Sequence, residues 1–121
     1  MATIKTLIGN LKSSTYDAYS TNETVVGKWI DGKPIYRKIY ETIMPAMGKI
    51  KYIDSGLSNY SYCKINAWMV TAGRSTEPVD GFNGTAVWFD SSKIGLKNND
   101  REDYGTRTVY IQLEYTKTTD A

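Results

Sequence analysis

The residues of this chain best equipped for chemistry are oxygen donors and aromatic rings. In "KNNDREDYG", residues 97–105, Asp100, Glu102 and Asp103 stand beside Asn98 and Asn99. Such ligands suit a hard cation such as Ca²⁺, but no glycine follows at the offset an EF-hand loop requires, so the stretch reads as a solvated loop tip with Arg101 partly neutralising it. Glu77 with Asp80, or Asp54 with Asp90, are the carboxylate pairs that glycoside hydrolysis would call on, and spacing alone selects neither. The chain has no histidine and a single cysteine, Cys63. That composition removes Ser-His and Cys-His catalysis, the usual zinc sites and any disulfide within the chain. The expectation is a protein with no catalytic residues, no bound metal and no cofactor.

Binding chemistry is better provided for. Ten Tyr and three Trp in 121 residues exceed what a small core requires. A Tyr joins an apolar face to a hydroxyl, a combination suited to stacking on sugars and to wet interfaces. "SNYSY", with Asn59, Tyr60 and Tyr62, and "EPVDGFNG", with Asp80, Phe82 and Asn83, are the candidate ligand-binding loops. The plainer use of any one of these rings is to fill core or subunit contacts. Trp68 and Trp88, each flanked by apolar neighbours, are assigned to the core.

Strands must position these residues. In "TRTVYIQLEYTKT", residues 106–118, Val109, Ile111, Leu113 and Tyr115 alternate with Thr108, Tyr110, Gln112 and Glu114, as in a strand with one buried face. "IYRKIYETIM" sets Ile35, Arg37, Ile39 and Ile43 against Tyr36, Tyr40 and Met44. Both of its faces are partly apolar, which predicts an inner strand or one covered by a neighbouring subunit. "KIKYIDSGL", "YSYCKINAWMVTAG" and "TAVWFDSSKIGL" supply further strands, and "GRSTEPVDGFNG" is read as a long loop. Five to seven strands follow. In "GKWIDGKPIYRK", residues 27–38, Asp31-Gly32 predicts a two-residue hairpin turn, with Trp29 and Tyr36 paired across it. Lys33, Arg37 and Lys38 are read as solvated or paired with carboxylates. The fold class is therefore all-β, an antiparallel β-sandwich of the jelly-roll kind.

The N-terminus differs. Ile4, Leu7, Ile8 and Leu11 recur at helical spacing, so residues 1–24 read as a short helix or coil plus a polar linker, and residues 25–121 as the sandwich. The apolar stripe of so short a helix needs a partner, either its own domain or the other strands of a coiled coil at the end of a fibre shaft. The formal charge of +2, from 15 Lys and Arg against 13 Asp and Glu, is interleaved and makes no basic stripe for nucleic acid. No apolar run approaches the roughly 18–20 residues that span a bilayer, and no signal-peptide layout opens the chain. The sequons at Asn22, Asn59 and Asn83 are short enough to arise by chance in a chain this rich in Ser and Thr.

"YSTNETVVGKWIDGKPIYRKIY", residues 19–40, resembles a segment that recurs near the start of the terminal domain in many tailed-phage and prophage tail-fibre or receptor-binding proteins. The matching residues are Tyr19, Ser20, Thr21, Glu23, Gly27, Trp29, Asp31, Gly32, Lys33, Pro34, Tyr36 and Arg37. The ending "TVYIQLEYTKTTD", residues 108–120, is similar to the ends of the same domains. The resemblance leaves residues 45–105 unmatched. It implies a non-enzymatic head domain at the distal tip of a virion tail fibre, assembled as a homotrimer. Joined to the aromatic content, this predicts recognition of a bacterial cell-surface polysaccharide. The alternatives are a structural trimerisation module without a ligand, a polysaccharide depolymerase and a free-standing lectin.

Overall fold

The computed structural model describes residues 19–71, 75–79, 84–99 and 107–120. Eight strands run through them: β1 (Thr24–Lys28), β2 (Pro34–Ile43), β3 (Lys49–Asp54), β4 (Tyr60–Thr71), β5 (Ser75–Pro78), β6 (Thr85–Asp90), β7 (Lys93–Asn98) and β8 (Thr108–Lys117). Five form one sheet in the order β1-β2-β8-β4-β5, and three form a second in the order β3-β7-β6. All pairings are antiparallel, and the two sheets pack as a β-sandwich. The helix expected near the N-terminus lies outside the described residues.

β8 organises the large sheet because its alternation is the cleanest in the chain. Val109, Ile111 and Leu113 are fully buried, and Tyr115 nearly so, on the face turned toward the small sheet. There Met44, Ala67 and Met69 from the large sheet meet Ile94 and Leu96 of β7. Each of the larger of these side chains, the Val, Ile, Leu and Met, stabilises the fold by roughly 1.5–3 kcal/mol when removed from water.

β2 is an inner strand, paired with β1 and β8, as its two-sided apolar pattern predicts. Register with β8 sets which side faces in. Tyr40 lies opposite Ile111 and joins the core with Met44, whereas Ile39 lies opposite Gln112 on the outer face. The Tyr40 and Met44 side therefore needs no neighbouring subunit to cover it. Burial pushes the Tyr40 hydroxyl up to about 12, and it donates to the Ser55 carbonyl at 2.6 Å.

Five local expectations change, four of them in the backbone or the facing of strands. Trp68 and Trp88 are not in the core: Trp68 pairs with Tyr110 and Trp88 with Gly95, one residue out of phase with the buried positions, so each ring lies on an outer face. The hairpin at Asp31-Gly32 is longer than two residues. Trp29 donates to the Lys33 carbonyl at 2.8 Å and Gly32 to the Trp29 carbonyl at 2.9 Å, with Gly32 alone at positive φ. That closes a three-residue loop, a turn followed by a left-handed glycine. The two-residue hairpin lies instead at Ser91-Ser92, with φ of 51° and 68°, splitting "TAVWFDSSKIGL" into β6 and β7. Finally, Ser75–Pro78, read as loop, forms a short edge strand against β4, with Pro78 at its end as a residue lacking an N–H must be.

Trp29 and Tyr36 also find other partners. Trp29 stacks on Tyr62 at 3.8 Å between centroids, and Tyr36 on Tyr115 at 5.9 Å. A bulge in β4 between Tyr60 and Cys63 turns Tyr62 toward Trp29, and the Thr116 hydroxyl accepts the Tyr62 N–H at 3.0 Å.

On the outer face of the large sheet Arg37 crosses directly to Glu114, its Nε and Nη2 donating to Oε2 at 2.8 and 2.5 Å. Their side chains are only 8 % and 13 % exposed, and the Tyr19 ring covers the guanidinium at 4.9 Å. Removing one partner takes this ion pair away from a buried charge, whereas replacing both by apolar side chains leaves no charge to compensate. In urea unfolding, Glu114→Ala should cost about 3 kcal/mol, and Arg37→Met with Glu114→Leu less than about 1 kcal/mol. The reverse ranking would show that the attraction within the pair outweighs its desolvation.

Candidate functional site

The outer face of the five-stranded sheet is built of cross-strand rows. One row runs Pro78, Trp68, Tyr110, Glu41 across β5, β4, β8 and β2. The Trp68 and Tyr110 rings stack with centroids 6.1 Å apart and planes 30° apart. Glu41 is exposed at the end of the row, two strand spacings or roughly 10 Å from Trp68. Beyond it Tyr19, Ser20 and Thr21 run beside β2, where the Ser20 carbonyl accepts the Ile39 N–H at 2.9 Å. These residues line an open cleft of ≈ 330 Å³ floored by Ile39. An aromatic platform in line with a carboxylate, beside a wall that carries hydroxyl residues, can stack the C–H face of a polyhydroxylated ligand and hydrogen-bond its rim. The outward parity of Trp68 with Lys64 and Asn66 was the signal that could have located this cleft from sequence.

Of the loop residues expected to bind, Asp80, Phe82 and Asn83 lie outside the described residues. Asn59, Tyr60 and Tyr62 are neighbours in sequence and divide in space. Asn59 takes a positive φ of 50°, its carbonyl accepting the Thr118 N–H at 2.6 Å and the Thr118 hydroxyl at 3.1 Å. Tyr60 meets Phe89 edge-on at 5.1 Å on the core side, whereas Tyr62 stacks with Trp29. The two rings do not form one surface. Asn59 lines a separate small cleft with Glu23, Gly56 and Lys117.

Compared with protein-family models, curated proteins and solved structures, the chain matches none. The reading of the site therefore rests on its geometry.

No cluster of three or more cysteine or acidic side chains suited to a metal occurs among the described residues. Of the oxygen donors in residues 97–105, Asn98 is buried and donates its amide to the Pro45 carbonyl at 3.1 Å, while Asp100, Glu102 and Asp103 lie outside the described residues. Glu77 pairs with Arg107 at 3.0 Å. Asp54 and Asp90 flank Lys93 in one row of the small sheet. The Gly56 N–H and Lys93 hold the Asp54 carboxyl below the usual range, the opposite of what a general acid needs. Burial pushes the Cys63 thiol up to about 11, away from the low value that a nucleophilic thiolate needs.

Glu23 ties the segment before β1 to the end of β8. It accepts hydrogen bonds from the Tyr115 hydroxyl and from Lys117 Nζ, the latter at 2.6 Å. Burial alone would raise its carboxyl, but these bonds and the charges of Lys117 and Lys38 outweigh burial and hold it below the ordinary value. The bond to Glu23 raises Lys117. A lowered folded-state carboxylate contributes stability above its unfolded pKa and loses it as pH falls through the folded value; a raised lysine contributes below its unfolded pKa and loses it as pH rises through the folded value. The pair thus acts fully between roughly pH 5 and pH 10. With the Glu23 side chain 34 % exposed, solvent screens much of the gain. Glu23→Gln should lower stability by about 0.5 kcal/mol across that range, with the difference closing in acid. Thermal melts over a pH series check this, and a difference that persists in acid would assign the effect to packing.

Proposed function

We propose that this chain is a non-enzymatic receptor-binding head domain of the phage tail-fibre type, which holds a bacterial surface polysaccharide in the cleft on its five-stranded sheet. The observation that carries this reading is the row Trp68, Tyr110, Glu41, with two stacked rings leading to an exposed carboxylate beside the Ser20 and Thr21 hydroxyls. Strand pairing holds the row rigid, so little ordering entropy opposes binding. A shallow open site of this size suits weak recognition of a short stretch of polymer. Three copies in a homotrimer, and several fibres on a virion, would raise that weak affinity by avidity. The resemblance of residues 19–40 and 108–120 to fibre head domains supports the same reading, and residues 19–21 of that segment form one wall of the cleft.

A structural trimerisation module without a ligand is the second reading. It is favoured by the exposed apolar side chains Val25 and Ile30 of the β1–β2 hairpin, of which Ile30 is 89 % exposed. Surfaces of this kind mark contact with other chains when they are contiguous.

Fluorescently labelled protein, its mass fixed by light scattering, should bind selected bacterial strains and their extracted wall polysaccharides as a trimer. Trp68→Ala should weaken polysaccharide binding by about tenfold while leaving the circular dichroism spectrum unchanged. A monomer would overturn the avidity mechanism. Unchanged binding by Trp68→Ala would remove the cleft, and a trimer that binds no polysaccharide would favour the structural module. Shortening of the polymer during incubation would revive the depolymerase.

A further inference from the structure

The outer face of the three-stranded sheet has a second aromatic arrangement, built differently from the cleft. Tyr52, Gly95 and Trp88 form one cross-strand row over β3, β7 and β6. A Cβ at Gly95 would meet Cε2, Cζ2 and Nε1 of Trp88 at 2.1–2.4 Å. The indole therefore lies across the bare backbone of Gly95, which it buries, with its other face turned away from the sheet. Tyr52 is 63 % exposed and stands at 81° to the indole, with centroids 6.2 Å apart. Floor and wall make an open right-angled corner. The adjacent row supplies Asp54, Lys93 and Asp90, with Asp54 and Lys93 paired at 3.5 Å, and Lys97 lies in the row on the other side. Two acidic and two basic groups balance around the corner.

We infer that this corner is a second, independent subsite, which takes one neutral pyranose unit of the polysaccharide with the sugar's C–H face on Trp88 and its edge against Tyr52. The inference rests on the glycan-binding reading and adds a site on the opposite side of the sandwich. An aromatic face carries the negative part of the ring quadrupole, which attracts the weakly positive C–H groups of a pyranose. The Asp54, Lys93 and Asp90 row lies about 7 Å from the floor row and offers acceptors and a donor to the sugar hydroxyls. Balanced charge selects a neutral sugar over a uronic acid or a phosphorylated one, and makes binding insensitive to salt. Glycine at 95 is required by the close approach of the Trp88 ring and not by the backbone, whose φ lies outside the left-handed region.

The three indoles give three N–H signals in a nitrogen–proton correlation spectrum, assigned by changing Trp29, Trp68 and Trp88 to Phe one at a time. Titration with the methyl pyranosides of glucose, galactose, N-acetylglucosamine and rhamnose should move the Trp88 signal saturably with at least one of them, equally at low and high salt. Gly95→Ala, which lifts the ring without removing it, should weaken that response by about tenfold. Tyr52→Ala, at an exposed position that leaves the core intact, should do the same and serves if Gly95→Ala fails to fold. A Trp68 signal that moves while Trp88 stays still would overturn this subsite and leave the cleft standing. Stillness of both signals would overturn both sites. A Trp88 signal that follows protein concentration instead of sugar would make the corner a contact between copies of the chain.

Discussion

β8 is hydrogen-bonded along its length to β2 on one side and β4 on the other, and its Val109, Ile111 and Leu113 are fully buried against the small sheet. A strand in that position tolerates no slip, because a shift of one residue would exchange Val109, Ile111 and Leu113 with Tyr110, Gln112 and Glu114. Everything on the large sheet takes its place from this register. Tyr40 and Ala67 face inward because they lie opposite Ile111, and Arg37 and Lys64 face outward because they lie opposite Glu114. Covering only part of the inner face with three strands leaves the end near Tyr36, Tyr115 and Lys117 to be closed by polar bonds, through Glu23 and through Asp120, which accepts from the Tyr36 hydroxyl at 2.7 Å.

The same register turns scattered residues into surfaces. Trp68, Tyr110 and Glu41 come from three strands far apart in the chain, yet antiparallel pairing sets them in one line. Tyr52, Gly95 and Trp88 are aligned in the same way on the other sheet. Both aromatic platforms therefore stand on strands, whose positions hydrogen bonding holds, and only the cleft wall of residues 19–21 comes from outside a strand. The two sheets present these sites on opposite sides of one core.

Much of the sandwich is legible in the sequence. Alternation located β8 and β2, and the two apolar faces of β2 identified an inner strand. Turn residues were less informative. Ser91 and Ser92 adopt positive φ without glycine or asparagine because the register between β6 and β7 leaves only two residues to reverse the chain. Asp31-Gly32, with stronger turn chemistry, closes a longer loop because Trp29 pairs with Lys33. Trp68 and Trp88 were misplaced for one shared reason: apolar neighbours in sequence suggest burial, but parity along a strand decides it.

Composition and local pattern by themselves determined the all-β class, the absence of histidine-based chemistry and the surplus of aromatic residues. Sequence spacing carries period two, so it determines which residues share a face of one strand wherever no bulge interrupts the period, as one does between Tyr60 and Cys63. It does not determine which face turns inward, nor which residue of a distant strand stands alongside, since both are set by packing and hydrogen bonding between strands. Only the tertiary structure therefore placed Tyr60 and Tyr62 on opposite faces, brought Glu41 to Tyr110, and laid Trp88 over a glycine that has no side chain to lift it.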